Sequence, residues 1–535
     1  VSKLRNIELF DSTLRDGTQG EGVNLSVDDK LRIAQRLDEF GVSIIEGGWP
    51  GSNPRDQEFF ARAKTLTFKQ AKICAFGSTA RSIDGVATDS NLNALLMAET
   101  EVVSIFGKTW SLHAARGLGI NAEQNSALIE QSVAYLVQKG RRVIFDAEHF
   151  FDGYKDSPEF AMEMLRAAQA GGADTLVLCD TNGGALPHEV AQATQHVLDT
   201  FDIPVGIHAH NDGGMAAANT ITAVRTGASH VQGTMNGVGE RCGNANLSTV
   251  IPNLVLKLGL ELKHAVDLSQ LTKMANYVFE IMNLHPDDRA PFVGKSAFAH
   301  KGGIHVSAVM KDSRMYEHII PTEVGAKRRV LVSDLSGQSN IRYKAEELEI
   351  NLQDSHGELP RKVVQHIKEL EHGGYQYEAA EASFELILNE QMGSFSPFFE
   401  VEDSRVIVSY EREGHNLADA MLKVRVNGEV EHTAADGVGP VNALNKALQK
   451  ALVRFYPQLS TVHLTDYKVR VLDGNHGTKA VVRVLIESHD GENSWSTVGV
   501  SENIIEASWQ ALVDSLNYKL MKSKIKNKNI KEQEA

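Results

Sequence analysis

The chain has 535 residues, more than one ordinary core holds, so two to four domains are expected. With 42% apolar and 23% charged residues it reads as globular rather than disordered. A formal net charge of -15 argues against a nucleic-acid binder, yet allows an anionic ligand held locally by Arg, Lys or helix N-termini.

Over the first ~260 residues, short strand-like runs alternate with helical patterns, as eight β/α units would. Strands are predicted at 7–11 (IELFD), 43–48 (SIIEGG), 72–77 (KICAFG), 101–107 (EVVSIFG), 141–148 (RRVIFDAE), 175–180 (TLVLCD), 204–210 (PVGIHAH) and 230–236 (HVQGTMN). They are rich in Val, Ile and Phe and bounded by Gly, Asp or Asn, as buried parallel strands should be. The stretch 26–41 between the first two has Ser26 to cap a helix, apolar spacings of three and four, and Gly41 to end it. Eight units favour a closed (β/α)8 barrel over a doubly wound sheet, and the first βα turn lacks the G-x-G-x-x-G of a dinucleotide fold.

From roughly 270 to 395 the pattern turns helical with irregular loops, including AFAHKGGIHVSAV (297–309) and SGQSNIRYKAEEL (336–348). A third region then reads strand, strand, helix, and repeats. VIVSYER and AMLKVRV precede PVNALNKALQKALVRFYP, while YKVRVLD, KAVVRVLIES and SWSTVGVS precede NIIEASWQALVDSLNYKLM. EHTAADGVGPVNALNKAL parallels SWSTVGVSENIIEASWQAL, which predicts a pseudo-symmetric α+β module. The expected division is therefore a TIM-barrel catalytic domain (1–270), linker subdomains with a lid (271–395), a regulatory α+β domain (396–525) and a polar tail (526–535).

Cys74, Cys179 and Cys242 lie far apart, and the first two sit in apolar strand-like runs, so buried reduced thiols are expected there. No signal-peptide pattern opens the chain, and no apolar run nears the ~20 residues that span a bilayer. A soluble cytoplasmic location without membrane contact is the expectation.

Strand seven runs into GIHAHNDGG, with His208 and His210 two apart. Residues i and i+2 of a strand point the same way, with Cα atoms ~7 Å apart at ~3.3 Å per residue. Two imidazoles can then converge on one ion, although the spacing alone fits a chance arrangement as well. Strand one runs into DSTLRDGTQ (11–19), presenting Arg15 and Asp16 together. Asp16 can add an anionic oxygen, giving a site of two neutral imidazoles and one carboxylate with open positions for substrate and water. Arg15 beside it would face an anion or a developing oxyanion, unless the two residues are only a surface pair capping a helix. Strand five ends in FDAEHF with Glu148, and NGVGERCGNANL (236–247) supplies the neutral oxygen of Asn244.

LFDSTLRDGTQ, HAHND and NGVGERCGNANL together resemble the acyl-CoA Claisen branch of the metal-dependent DRE-TIM barrel family, which holds 2-isopropylmalate, homocitrate and citramalate synthases. The resemblance extends through GGIHVSA to HTAADGVGPVNALNKAL, which is similar to the allosteric dimer domain of isopropylmalate and citramalate synthases. It implies that Asp16, His208 and His210 bind a divalent metal (Mn, Zn or Mg), with Asn244 at or near its shell, and that Arg15 polarises the ketone. Thr181, in DTNGG, matches the residue that binds the 2-oxo acid carboxylate, and Glu148 the barrel glutamate of acid/base work. His305 resembles the linker histidine over the mouth, with Tyr316 accompanying it, whereas His300 reads as solvated.

The chemistry so implied joins the methyl carbon of acetyl-CoA to a 2-oxo acid and then hydrolyses the thioester, with His305 as base and Glu148 assisting. EGGWPGSNPRD (46–56) resembles citramalate synthases of the longer type, as does DYKVRVLDGNHGTKAVVRVLIES, so pyruvate is the expected acid and 2-oxoisovalerate the alternative. Trp49, Phe106 and Trp110 are candidates for the wall that a small methyl group requires. The end module implies a homodimer and a branched-chain amino acid effector, most simply isoleucine. A biotin-dependent carboxyltransferase needs a carrier lysine that Leu520-Met521-Lys522-Ser523 does not supply. A C–C lyase would lack the end module, and an amino-acid sensor would leave the polar constellation idle.

Overall fold

The computed structural model describes residues 6–350, 352, 358–410, 416–472 and 479–533. Glu411 and Arg412 of VIVSYER, residues 473–478 of the DYKVRVLDGNHGTKAVVRVLIES run and residues 534–535 of the expected tail lie outside them. Two compact units are formed, one from residues up to Phe298 together with His318–Arg328, the other from Ala299–Glu317 and everything from Arg329 onward. The stretch 271–395 is thus divided between the two rather than folded as one piece.

The first unit is built on eight parallel strands: β1 Asn6–Asp11, β2 Ile44–Gly48, β3 Lys72–Ser78, β4 Val102–Lys108, β5 Arg142–Glu148, β6 Thr175–Asp180, β7 Val205–Ala209 and β8 His230–Gly233. Neighbours pair in sequence order, and β1 pairs with both β2 and β8, which closes the barrel. A short strand, β9 (Glu261–Leu262), adds to the free end of β1. The helix after β1 runs Val27–Phe40, with a capping box between Ser26 and Asp29 and Gly41 at φ 111° ending it. That left-handed φ is one that glycine adopts at little cost, and here it stops the helix one residue past the last apolar position.

Alternate residues on each strand point into the barrel. Phe10, Ile44, Cys74, Val102, Ile144 and Val177 fill its centre as an apolar layer, with Cys179 above them. Two residues further along, the same direction applies to Ser12, Glu46, Phe76, Ser104 and Asp146. The polar side chains are therefore stacked on a sealed floor at the carboxyl ends of the strands. Cys74 and Cys179 are buried free thiols, and Cys242 is exposed.

In the second unit, β10 (Ala299–His300) pairs in parallel with β11 (Arg329–Val330). Two antiparallel sheets follow: β12 Glu400–Tyr410, β13 Asn416–Val426 and β14 Glu429–Gly437, then β15 His463–Val471, β16 Val482–His489 and β17 Ser494–Ser501. Each leads into a helix, Pro440–Val453 and Ile504–Gln533. The repeat predicted from sequence is present, with one correction: each half has three strands. EVEHTAADG is the third strand of the first half, its side chains alternating between exposed and partly covered with none of the strong apolar character that marks its neighbours. A second correction concerns the tail, because the last helix continues through residues 526–533. Among the described residues no helix is long and apolar enough to cross a membrane.

Candidate metal centre and active site

The ends of β1 and β7 bring Asp16, His208 and His210 together, one ligand atom of each lying within 4.8 Å of the others. His208 Nε2 stands 3.4 Å from His210 Nε2 and 3.3 Å from Asp16 Oδ2, and His210 Nε2 is 3.8 Å from that same oxygen. Ligand atoms sharing one ion at ~2.0–2.1 Å stand roughly 3–3.5 Å apart, so the trio suits a single small cation. All three residues are buried. Asp16 Oδ1 and Asn244 Oδ1 are also buried without a protein hydrogen-bond partner, which leaves two further oxygens for such an ion.

The tautomer of His208 is set from behind. Its Nδ1 donates to Gln232 Oε1 at 2.9 Å, which leaves the Nε2 lone pair for the metal side. Gln232 in turn donates from Nε2 to Asp146 Oδ1 at 3.0 Å, and Ser104 Oγ donates to Asp146 Oδ2 at 2.6 Å. Burial and the neighbouring His208 push His210 down to about 4, so its imidazole is neutral at neutral pH. Burial alone would lower His208 too, but the hydrogen bond and charge of Asp16 outweigh it and push it up. Burial likewise raises Asp16, and the Arg15 guanidinium with His208 overcomes this and holds the carboxyl well below its usual range.

Arg15 is not a surface helix cap. Its Nε donates to Glu46 Oε2 at 2.7 Å and its Nη1 to Asp16 Oδ2 at 3.1 Å, while the guanidinium lies 3.8 Å from the centre of the Phe76 ring. Glu46 is fully buried and also accepts from Ser12 Oγ. Two carboxylates and one aromatic face therefore fix the guanidinium, and its Nη2 edge is the part left for a ligand oxygen.

Asn244 reaches the trio through a tight loop. It forms a β-bridge with His210, and Gly237, at φ 71°, accepts its backbone N–H at 3.0 Å. Gly243 has φ 83°, and a methyl group there would fall on the carbonyl oxygen of Gly237. Only glycine lets the two strands of this loop approach so closely.

A cavity of about 210 Å³ opens beside these groups, lined by Arg15, Asp16, His208 and His210 on one side and by Trp49, Phe76, Phe106, Glu148 and Thr181 on the other. It is smaller than the ~300–1,000 Å³ of sites for drug-sized ligands, as suits a small acid. Thr181 Oγ1 accepts from the backbone N–H of His149 at 2.8 Å, so its own hydroxyl proton is free to donate to an anionic oxygen. Glu148 forms an ion pair with Lys108. Trp49 and Phe106 belong to the wall as expected, and Phe76 joins them. Trp110 does not: it stacks on His113 and donates to Asp156 at 3.1 Å.

His305 and Tyr316 are described within the second unit, where their rings lie 4.3 Å apart, both exposed. His300, expected to be solvated, is instead buried against Glu317, Nε2 to Oε1 at 3.2 Å, because β10 draws it into the pairing with β11. Sequence reasoning missed Glu46, Phe76, Asp146, Gln232 and Arg241. Glu46, Phe76 and Asp146 share a signal, a polar or large residue at an inward strand position two beyond a residue of the apolar layer, and Gln232 stands likewise two beyond the buried His230. Arg241, another residue of the cavity wall, is held by Asp212 at 2.8 and 2.9 Å and donates to Thr181 O at 2.7 Å.

The HMGL-like family profile matches residues 6–278, the homocitrate synthase post-HMGL domain-like profile 292–374, and the LeuA allosteric (dimerisation) domain 378–520. The (R)-citramalate synthase of Aquifex aeolicus is 52% identical over 518 residues, covering 96% of this chain and 98% of that protein. The chain belongs to the (R)-citramalate synthases of the HMGL-like family. The (R)-citramalate synthase of Geobacter sulfurreducens is 51% identical over 97% of this chain and 98% of its own length. A probable 2-isopropylmalate synthase of Methanopyrus kandleri matches over a similar span, 96% of this chain and 98% of its own, at 33%. Both citramalate synthase matches thus run through the barrel and the end module alike.

Proposed function

We propose that this enzyme condenses the methyl carbon of acetyl-CoA with the keto carbon of pyruvate and hydrolyses the resulting thioester, releasing (R)-citramalate and CoA. The observation that carries the reading is the meeting of Asp16, His208 and His210 beside a pinned Arg15 in a small, aromatic-walled cavity. Asp16, His208 and His210, with Asn244 beside them, would hold a divalent ion, which would supply Lewis acidity at this site. The chain's own groups do the rest. Thr181 Oγ donates to the pyruvate carboxylate, and Arg15 donates to the keto oxygen as it gains negative charge. Trp49, Phe76 and Phe106 close around the methyl group. His305 takes the methyl proton of the thioester, with Tyr316 beside its ring and Glu148 assisting.

The product would enter a threonine-independent route to isoleucine, and we assign isoleucine as the effector of the end module, with a homodimer as the working form. A cytoplasmic setting belongs to the same proposal. Free-thiol release from acetyl-CoA is the test, run with pyruvate, 2-oxobutyrate, 2-oxoisovalerate and 2-oxoglutarate. Pyruvate should give the highest kcat/KM. Equal release without any oxo acid would remove the condensation, and a preference for 2-oxoisovalerate would move the enzyme to isopropylmalate chemistry. Stripping the metal with a chelator should abolish release, and a divalent salt should restore it. Isoleucine should lower the initial rate more than leucine does, because an effector inhibits only by binding two states unequally.

A further inference from the structure

Trp49 follows β2 on a turn, and its side chain forms one wall of the cavity. The indole meets Phe76 edge-on at 5.5 Å and Phe106 edge-on at 5.7 Å, while those two rings stack at 5.5 Å. Edge-on aromatic contacts favour this geometry but do not by themselves lock a tryptophan into one rotamer at the rim of a cavity. A polar tether at the edge of the ring does so. Trp49 Nε1 donates to Asn91 Oδ1 at 2.7 Å, and Asn91 Nδ2 donates to Ser78 O at 2.7 Å. Only the amide nitrogen can serve a carbonyl oxygen, so the orientation of the Asn91 side chain is fixed by its partners.

Ser78 ends β3, two residues beyond Phe76, so one amide ties the Trp49 wall to the strand that carries the second ring. Asn91 is itself anchored, its backbone N–H donating to Asp89 Oδ1 at 2.9 Å at the start of the helix Ser90–Met97. Space for the amide comes from two glycines. A Cβ on Gly77 would stand 3.0 Å from Asn91 Oδ1, and one on Gly51 would stand 3.1 Å from that oxygen and 3.3 Å from Trp49 Nε1. The slot is built to let this side chain reach this indole.

We infer that Asn91 is a positioning residue that fixes the Trp49 wall and so sets how strongly the site rejects 2-oxo acids bulkier than pyruvate. This rests on the reading of the cavity as the 2-oxo acid site. Asn91 touches no reacting atom. Its loss should therefore change discrimination between acids and leave the chemical step nearly intact.

The test compares Asn91→Leu, Asn91→Ala, Trp49→Phe and the Asn91→Ala/Trp49→Phe double variant, measuring kcat and KM for pyruvate and 2-oxoisovalerate by thiol release. The ratio of the two kcat/KM values should fall about tenfold in either Asn91 variant, the scale of one misplaced methylene contact. The change should lie in KM, with kcat on pyruvate within about twofold of the parent, as loss of uniform binding predicts. Trp49→Phe removes the indole N–H and should move the ratio the same way, and the double variant should add little. An unchanged ratio in the Asn91 variants, or effects that multiply in the double variant, overturns the inference. A parent enzyme that prefers 2-oxoisovalerate overturns the pyruvate reading alone, since the Asn91 effect is read as a change from the parent's own ratio.

Discussion

At the residue scale, two groups proposed to meet a ligand are each held by a buried neighbour. Arg15 lies against Glu46, and His208 against Gln232. Replacing Arg15 by Lys removes the fork that bridges Glu46 and Asp16, and kcat should fall about 10²–10³-fold, measured by thiol release. Gln232→Leu frees the Nδ1 proton of His208, and metal affinity should weaken about 10–100-fold in a competition with a chromophoric chelator. The cluster itself was legible in part: His208 and His210 stand two apart at the end of β7, where side-chain direction follows from parity, while Asp16 and Asn244 lie in loops and stood out only through their motifs. Glu46 and Gln232 were not legible. Their roles depend on which inward residues face each other across a closed barrel, and nothing in SIIEGG or HVQGTMN names the opposite partner.

At the element scale, loop geometry and helix burial give two further outcomes. Gly243→Ala places a methyl group on the Gly237 carbonyl at a left-handed φ of 83°, so the loop must open and carry Asn244 away from His210. The backbone strain alone costs about 1 kcal/mol or more, so melting temperature should drop together with metal affinity. Asp514, on the last helix, accepts from Ser383 Oγ at 2.7 Å, and burial pushes its carboxyl up to about 7. The native chain then keeps a proton that the unfolded chain releases near pH 4, so this group's contribution to stability falls as pH rises from about 4 to 7. Asp514→Asn removes that loss, and its advantage in melting temperature should be larger at pH 8 than at pH 5. The strands of the barrel were readable to within one residue at most ends, since buried parallel strands are continuous apolar runs. EVEHTAADG was not, because an antiparallel strand with one open face carries few apolar residues.

At the scale of the whole molecule, the internal repeat was visible in sequence because both halves use the same strand-to-helix junction. The division of 271–395 was invisible, since it is decided by which core each segment packs into. The chain passes from one unit to the other after Phe298, after Glu317 and after Arg328. Val324 and Ala326 are buried in the barrel's own core, and Val324 O accepts from Thr272 Oγ1 at 2.7 Å. A barrel cut at 298 therefore lacks part of its own packing, and should melt at a lower temperature than the same barrel extended to residue 328. The barrel cannot be lifted out by a single cut and spliced onto a foreign regulator. A cut after residue 328 keeps the threaded segment with the barrel but takes Ala299–Glu317 away from the other unit, so no single seam parts the two cores cleanly.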